Sequence, residues 1–278
     1  TFFAESLIAG GQERRMLELI RYLLDKKEYT IALVITEEEI FYTFAKELGI
    51  DIRILKRKIF RYDPSLFVRL LRFCSDFKPD IIHAWGKMPT FYSLPVKIFH
   101  RIPLISNLIA NSKPEYNNRL MDKIFYAADV RFSDVILSNS KAGLKAYNIT
   151  SYKAGVIYNG VHLERFRNSY DNALIRKKFN ILTELVVIMV ACFTSSKDYD
   201  LFIDIATETG KTRNNVTFVA VGGGPELDRI KTRAGNEGVT NVVFTGDQEQ
   251  VEPLIAAADI GLLCTFAEGV SNALIEYM

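Results

Sequence analysis

The chain has 278 residues, 49% of them hydrophobic and 24% charged, with a formal net charge of +2. These are ordinary values for a globular protein with room for two α/β domains, and they exclude a disordered, collagenous or disulfide-stapled chain. Its longest apolar run, nine residues from Leu185 to Phe193, is about half of what crosses a bilayer, so it is expected to be a buried strand, and no segment has the make-up of a signal peptide.

Thr1-Phe2-Phe3-Ala4 reads as the end of a first strand. Gly10-Gly11 then leads into a helix, QERRMLELIRYLL, whose Met16, Leu17, Ile20, Leu23 and Leu24 share one face. Glycines at a strand-to-helix junction let backbone approach a phosphate, or simply make a tight turn. A strand IALVIT, a helix EEEIFYTFAKELG closed by Gly49, and a strand DIRIL follow. Lys56-Arg57-Lys58 with Arg61, interleaved with Ile59, Phe60, Tyr62 and Phe67, is the densest basic patch. Such a run is either a solvated face or a contact for an anionic membrane surface. Residues 1–170 hold 26 Lys and Arg against 18 Asp and Glu, net +8, while residues 171–278 hold 9 against 15, net −6. Any such contact therefore belongs to the first part. No nucleic-acid partner is expected.

The helix PSLFVRLLRFCSDF precedes a strand KPDIIHAW. Its His83 can meet a sugar or carry a proton, or be structural; Trp85 can stack on a sugar ring or fill the core. RIPLISNLI, the helix of KIFYAADVRF and the strand DVILSNS complete a first set of units. KAGVIYNGVHLERF, with turn chemistry at Asn159-Gly160, reads as a linker. The alternation then restarts. LVVIMVACF, VTFVAVGGG, NVVFTG and DIGLLCTF read as strands, with DYDLFIDIATETG, ELDRIKTRAGNEG and EQVEPLIAAA as helices. Repeated strand–helix units imply parallel sheets covered on both faces, and a restart implies two domains, bounded at 1–167 and 168–278, with ligand where strand C-termini meet a cleft.

Glu268 and Glu276, eight apart, close the chain. Gly269-Val270-Ser271 turns from a strand into a helix starting at Asn272, with Ser271 as its N-cap, an arrangement that suits an anion. Two carboxylates beside it suit polyol hydroxyls, so a sugar nucleotide fits; an ordinary solvated strand–turn–helix is the plainer alternative. Lys197, in the loop after LVVIMVACF, can neutralise a diphosphate or be a surface lysine. Gly222-Gly223-Gly224 lacks the offsets of a dinucleotide fingerprint and reads as a loop-shaping cluster. Cys74, Cys192 and Cys264 are odd in number and far apart, which reads as reduced core thiols in a cytosolic compartment. No cluster has metal-ligand spacing, so no metal is expected.

In order, SLIAGGQERRMLELI, YNGVHLERF, VACFTSSKDYDLFIDIA, FVAVGGGPELDRI, VVFTGDQEQVEPLIAAADIGLLCTFAEG and EGVSNALIEYM resemble the retaining GT-B glycosyltransferases of glycosyltransferase family 4, the last segment matching its E-x7-E motif. The resemblance implies two Rossmann-like domains facing a cleft, the second C-terminally incomplete, and a metal-independent, cofactor-free transfer from a UDP- or GDP-sugar to a lipid-linked or polysaccharide acceptor. It implies a bacterial cell-envelope enzyme; the cysteines and the charge asymmetry add a cytoplasmic location, peripheral on the inner face of the membrane through Lys56, Arg57, Lys58 and Arg61. It places Glu268 on the donor sugar, the backbone of Gly269, Val270 and Ser271 and the side chain of Lys197 on the diphosphate, and Glu276 on the ribose. Gly10 and Gly11 close over the donor, the base lies near Gly246, and His83 and Trp85 fall on the acceptor side. Two departures stand out. Cys192 occupies the family's arginine position, and Ser106-Asn107-Leu108 stands where a histidine is common. A degenerate, non-catalytic sugar-nucleotide-binding or partner protein is the alternative they support.

Overall fold

The structure is a computed structural model that describes residues 1–58, 62–109 and 120–278. The chain divides into two units, Thr1–Asn159 and Gly160–Met278. The first is built from β1 (Phe2–Ala4), α1 (Gly11–Asp25), β2 (Ala32–Ile35), α2 (Phe44–Glu47), β3 (Asp51–Ile54), α3 (Ser65–Phe77), β4 (Ile82–Trp85), α4 (Lys87–His100), β5 (Leu104–Ile109), α5 (Leu120–Phe132), β6 (Val135–Ser138), α6 (Lys141–Ala146) and β7 (Ala154–Val156). Among the described residues its sheet has the order β3-β2-β1-β4-β5-β6-β7, parallel throughout. Side chains alternate across it, as the two-residue period of a strand requires. Phe2, Ala4, Leu33 and Ile35 pack with Met16, Leu17 and Ile20 of α1; Phe3 and Val34 pack with Leu66 and Leu70 of α3 and Tyr92 of α4 on the other face.

The second unit opens with a 3₁₀ turn (Leu163–Phe166) and continues through α7 (Asn172–Lys178), β8 (Leu185–Val190), α8 (Tyr199–Thr212), β9 (Val216–Val221), α9 (Leu227–Asn236), β10 (Val242–Gly246), α10 (Glu252–Ala256), β11 (Ile260–Gly261) and α11 (Asn272–Tyr277). Its parallel sheet runs β10-β9-β8-β11. Val187 and Met189 face Phe202, Ile203 and Ile230 on α8 and α9, while Val186 and Ile188 face Leu254 on α10. The apolar run Leu185–Phe193 is thus, as far as Val190, a strand packed on both faces.

In each sheet the strand order reverses beside the first strand laid down, between β1 and β4 and between β8 and β11. Ligand crevices of doubly wound sheets form at the carboxyl ends of the strands flanking such a reversal.

Three expectations are corrected. The helix expected over Glu37–Gly49 is helical only at Phe44–Glu47. Ile40 instead forms a parallel bridge with Leu7, and the Tyr42 hydroxyl donates to Gly10 O at 2.8 Å, so tertiary hydrogen bonds override local propensity. Part of the expected linker is β7, whose Ala154 lies opposite Ile136 at the sheet edge. The strand expected over DIGLLCTF pairs with β8 only at Ile260 and Gly261.

Candidate functional site

The β8–β11 reversal carries most of the expected site residues. Beyond β8 the chain runs through Cys192, half-buried and in no disulfide, to Lys197. Two backbone contacts pin this segment to the glycine loop after β9: Phe193 N–H donates to Gly223 O at 2.7 Å, and Glu226 N–H to Phe193 O at 3.0 Å. A Cβ on Gly222 would lie 2.2 Å from Ala191 O, and one on Gly224, whose φ is +138°, would lie 2.6 Å from Phe193 O. Only glycine fits so close an approach in that backbone region. The Gly223 N–H donates to an Asp247 carboxylate oxygen at 2.6 Å, so the cluster shapes a loop with that amide already on an anion. Gly246, with φ +70°, accepts from Gly222 N–H at 2.9 Å through its carbonyl.

The segments after β8 and β11 then pair with each other. Lys197 forms an antiparallel bridge with Thr265; Asp198 N–H donates to Cys264 O and Phe266 N–H to Ser196 O, both at 3.0 Å. This clasp brings the Lys197 ammonium onto the Glu268 carboxylate as a part-buried ion pair. Asp198 accepts from Leu201 N–H at 3.0 Å and so caps α8 immediately after the lysine. Gly269 and Val270 make the turn into α11, and the Ser271 hydroxyl caps it by accepting from Leu274 N–H at 3.4 Å.

Glu276 points elsewhere. It is buried and accepts from Arg165 Nη1 at 3.2 Å, while Arg165 Nε donates to Glu252 at 2.5 Å. One guanidinium from the 3₁₀ turn thus serves two buried carboxylates from α10 and α11. Sequence reasoning did not single out Arg165 or Glu252. The signal for Arg165 was its place in YNGVHLERF; Glu252, 87 residues away, gave none.

The first unit places Gly10 and Gly11 at the other reversal, as the N-cap and first residue of α1. Gly10 is held through both its N–H and its C=O by the Tyr42 hydroxyl. A Cβ there would fall 2.1 Å from the Glu13 carboxylate. Trp85 ends β4 beside this junction. His83 lies mid-strand, its ring 5.3 Å from Phe2 and 5.1 Å from Trp85; burial pushes its imidazole down to about 4, so it is neutral at physiological pH. Ser106 is buried, its hydroxyl 3.2 Å from that of Thr90. In the basic patch Lys56 and Lys58 are exposed. Lys56 pairs with Glu38 at 2.8 Å, Arg57 is half-buried on Glu5, and Arg61 lies outside the described residues. Among the described residues no helix is long and apolar enough to cross a membrane.

A family model described as Glycosyltransferase Family 4 matches residues 9–165, and one described as Glycosyl transferases group 1 matches residues 184–278. The chain is 21% identical over 286 residues to a Campylobacter jejuni protein, covering 99% of this chain and 75% of that one. That protein is named as an alpha-1,4-N-acetyl-D-galactosaminyltransferase acting on GalNAc-alpha-(1->4)-GalNAc-alpha-(1->3)-diNAcBac-PP-undecaprenol. It is 25% identical over 209 residues to TuaC of Bacillus subtilis, a glycosyltransferase provisionally assigned to teichuronic acid biosynthesis, covering 72% of this chain and 51% of that one. Among solved structures, Anabaena HepE in complex with UDP-glucose superposes with a TM-score of 0.85 at 19% identity, over 99% of this chain and 77% of that one. Sucrose-phosphate synthase of Thermosynechococcus elongatus does so with 0.78 at 15%, over 99% and 78%.

Proposed function

This chain belongs to glycosyltransferase family 4, and from that premise we propose that it is a retaining enzyme moving a sugar from a UDP- or GDP-sugar to a lipid-linked or polysaccharide acceptor. The observation that carries the proposal is the Lys197–Glu268 pair on the two segments leaving the β8–β11 reversal. Lys197 neutralises the charge that develops on the leaving diphosphate, and Glu268 accepts from the donor sugar hydroxyls. A fixed cation at that position acts on the transition state more than on the ground state, because the charge grows as the glycosidic bond breaks. Glu276, held by Arg165, takes the ribose hydroxyls. The backbone of Gly269, Val270 and Ser271 meets the diphosphate, and that near Gly246 the base. His83 and Trp85 line the acceptor side. The positive charge comes from side chains, so no metal is needed.

The acceptor class is supported by the undecaprenol-linked substrate in the name of the Campylobacter relative. It is supported also by the net +8 of residues 1–170, which suits an anionic membrane face on the cytoplasmic side. Full-length protein is expected to melt at higher temperature with UDP or GDP present. Lys197→Ala is expected to weaken that nucleotide about 10- to 100-fold by calorimetry, the worth of one charge-assisted contact. The absence of a thermal shift with any nucleoside diphosphate would rule the proposal out.

Cys192 supports a second reading, a binding protein with little turnover, because a thiol replaces a guanidinium beside the diphosphate. Cys192→Arg discriminates. A large gain in transfer rate marks a weakened enzyme, and tighter binding with no transfer to any acceptor marks a non-catalytic one.

A further inference from the structure

Tyr277 sits where the second sheet comes apart. β8 and β11 pair with Ile260 opposite Val187 and Gly261 opposite Ile188. Asp259 N–H donates to Val186 O at 2.9 Å, and Leu262 N–H to Ile188 O at 2.8 Å. In a parallel ladder the next bond runs from Val190 N–H to Leu262 O. Here Val190 N–H instead donates to the Tyr277 hydroxyl at 2.8 Å, and that hydroxyl donates onward to Leu262 O at 3.4 Å. A side-chain oxygen replaces one ladder bond and holds the strands apart by its own width.

The ring is fitted to this place. A Cβ on Gly261 would lie 2.2 Å from Tyr277 Cδ2, so the aromatic face lies directly on the glycine. Burial pushes the phenol well above its ordinary range, which keeps the proton it donates. Beyond the inserted hydroxyl the two segments reconverge as the clasp of Ser196, Lys197 and Asp198 with Cys264, Thr265 and Phe266. Lys197 and Glu268 ride on those segments. The neighbouring residue, Glu276, is bound to Arg165, so two consecutive side chains of α11 reach the strand gap and the 3₁₀ turn.

We propose that Tyr277 is a positioning residue whose hydroxyl is a spacer in the β8–β11 ladder, setting the separation of the Lys197 and Glu268 segments that the nucleotide sugar requires. The proposal rests on the glycosyltransferase reading for its ligand and on the ladder geometry for its mechanism, and the two are separable by experiment.

Tyr277→Phe keeps the ring over Gly261 and removes the spacer. In full-length protein it is expected to let Val190 and Leu262 pair directly. UDP or GDP affinity, whichever the wild type binds, then falls at least about tenfold at an essentially unchanged melting temperature, a split that simple loss of packing does not give. In nucleotide-free protein, amide resonances of residues 191–198 and 262–268 are expected to move. Shifts confined to Val190, Leu262 and Tyr277, or wild-type nucleotide affinity in Tyr277→Phe, overturn the proposal. If the wild type binds no nucleotide, the donor reading fails, and the spacer is judged on the resonance shifts alone. Gly261→Ala, which pushes the ring off the strand, is the second variant and is expected to reproduce the affinity loss.

Discussion

Arg165 joins two buried carboxylates. It is the shared partner of Glu252 and Glu276, and all three side chains are at most 12% exposed. Removing one member of a buried ionic group leaves its partners uncompensated, at about 3–5 kcal/mol. Arg165→Leu is therefore expected to destabilise the protein by that amount in chemical denaturation, and to lose nucleotide affinity along with it. His83 makes a prediction of a different kind. Its imidazole titrates near 4 in the folded protein against 6.5 ordinarily, because burial disfavours the charged form. The unfolded chain binds the proton first as pH falls, so stability is lost from about pH 6.5 down to about pH 4 and is unaffected above that window. Between pH 7 and 4.5 wild-type stability is expected to fall about 2.5 kcal/mol more than that of His83→Phe, read by urea unfolding at both pH values.

At the scale of elements, the loops after β8 and β9 act as one piece, because the glycines admit backbone against backbone. Gly224→Ala meets both a left-handed φ of +138° and the Phe193 carbonyl. It is expected to cost at least about 2 kcal/mol and to weaken nucleotide binding by shifting the segment that bears Lys197. Gly235 is the control. It lies within α9 with nothing within 4 Å of an added Cβ, so Gly235→Ala is expected to stabilise by about 0.5–1 kcal/mol. Thermal melts of the two variants should therefore move in opposite directions. Elements also divide by how readily they are read. β8 and α8 are legible because a long apolar run and a clear helical period each name one state. β7 is three residues and α2 four, too short to carry a period, and their states are settled by β6 and by the Leu7–Ile40 bridge.

At the scale of the whole molecule, the charge division makes the membrane prediction. Lys58 is exposed, Lys56 is exposed though paired with Glu38, and Arg57 is half-buried on Glu5, so the two lysines are the groups most accessible to lipid phosphates. Co-sedimentation with anionic vesicles is expected, weakening as salt rises and lost in Lys56→Glu/Lys58→Glu. Binding that ignores both salt and charge reversal counts against it. Acid should act on the fold as well. Asp200 is held below the usual carboxylate range by hydrogen bonds from Arg229 and, with desolvation opposing, from Arg233. Its contribution is present above its ordinary value of 3.8 and fades as pH drops beneath it.

The sequence by itself determined the alternation of strands and helices, hence two parallel sheets, and the order of motifs that marks the family. Those signals are local, written in runs of a dozen residues. It also named Lys197, Glu268 and Glu276. What it left undetermined is how they are held. Glu276 is tied to Arg165 across 111 residues, Lys197 to Glu268 across 71, and Val190 to Tyr277 across 87. Such pairings carry no sequence period, because strand order, not spacing along the chain, decides which loops leave a sheet side by side. Only the tertiary structure could bring a tyrosine hydroxyl into the β8–β11 ladder, since an unpaired Val190 amide and Leu262 carbonyl exist only once those two strands have met and parted.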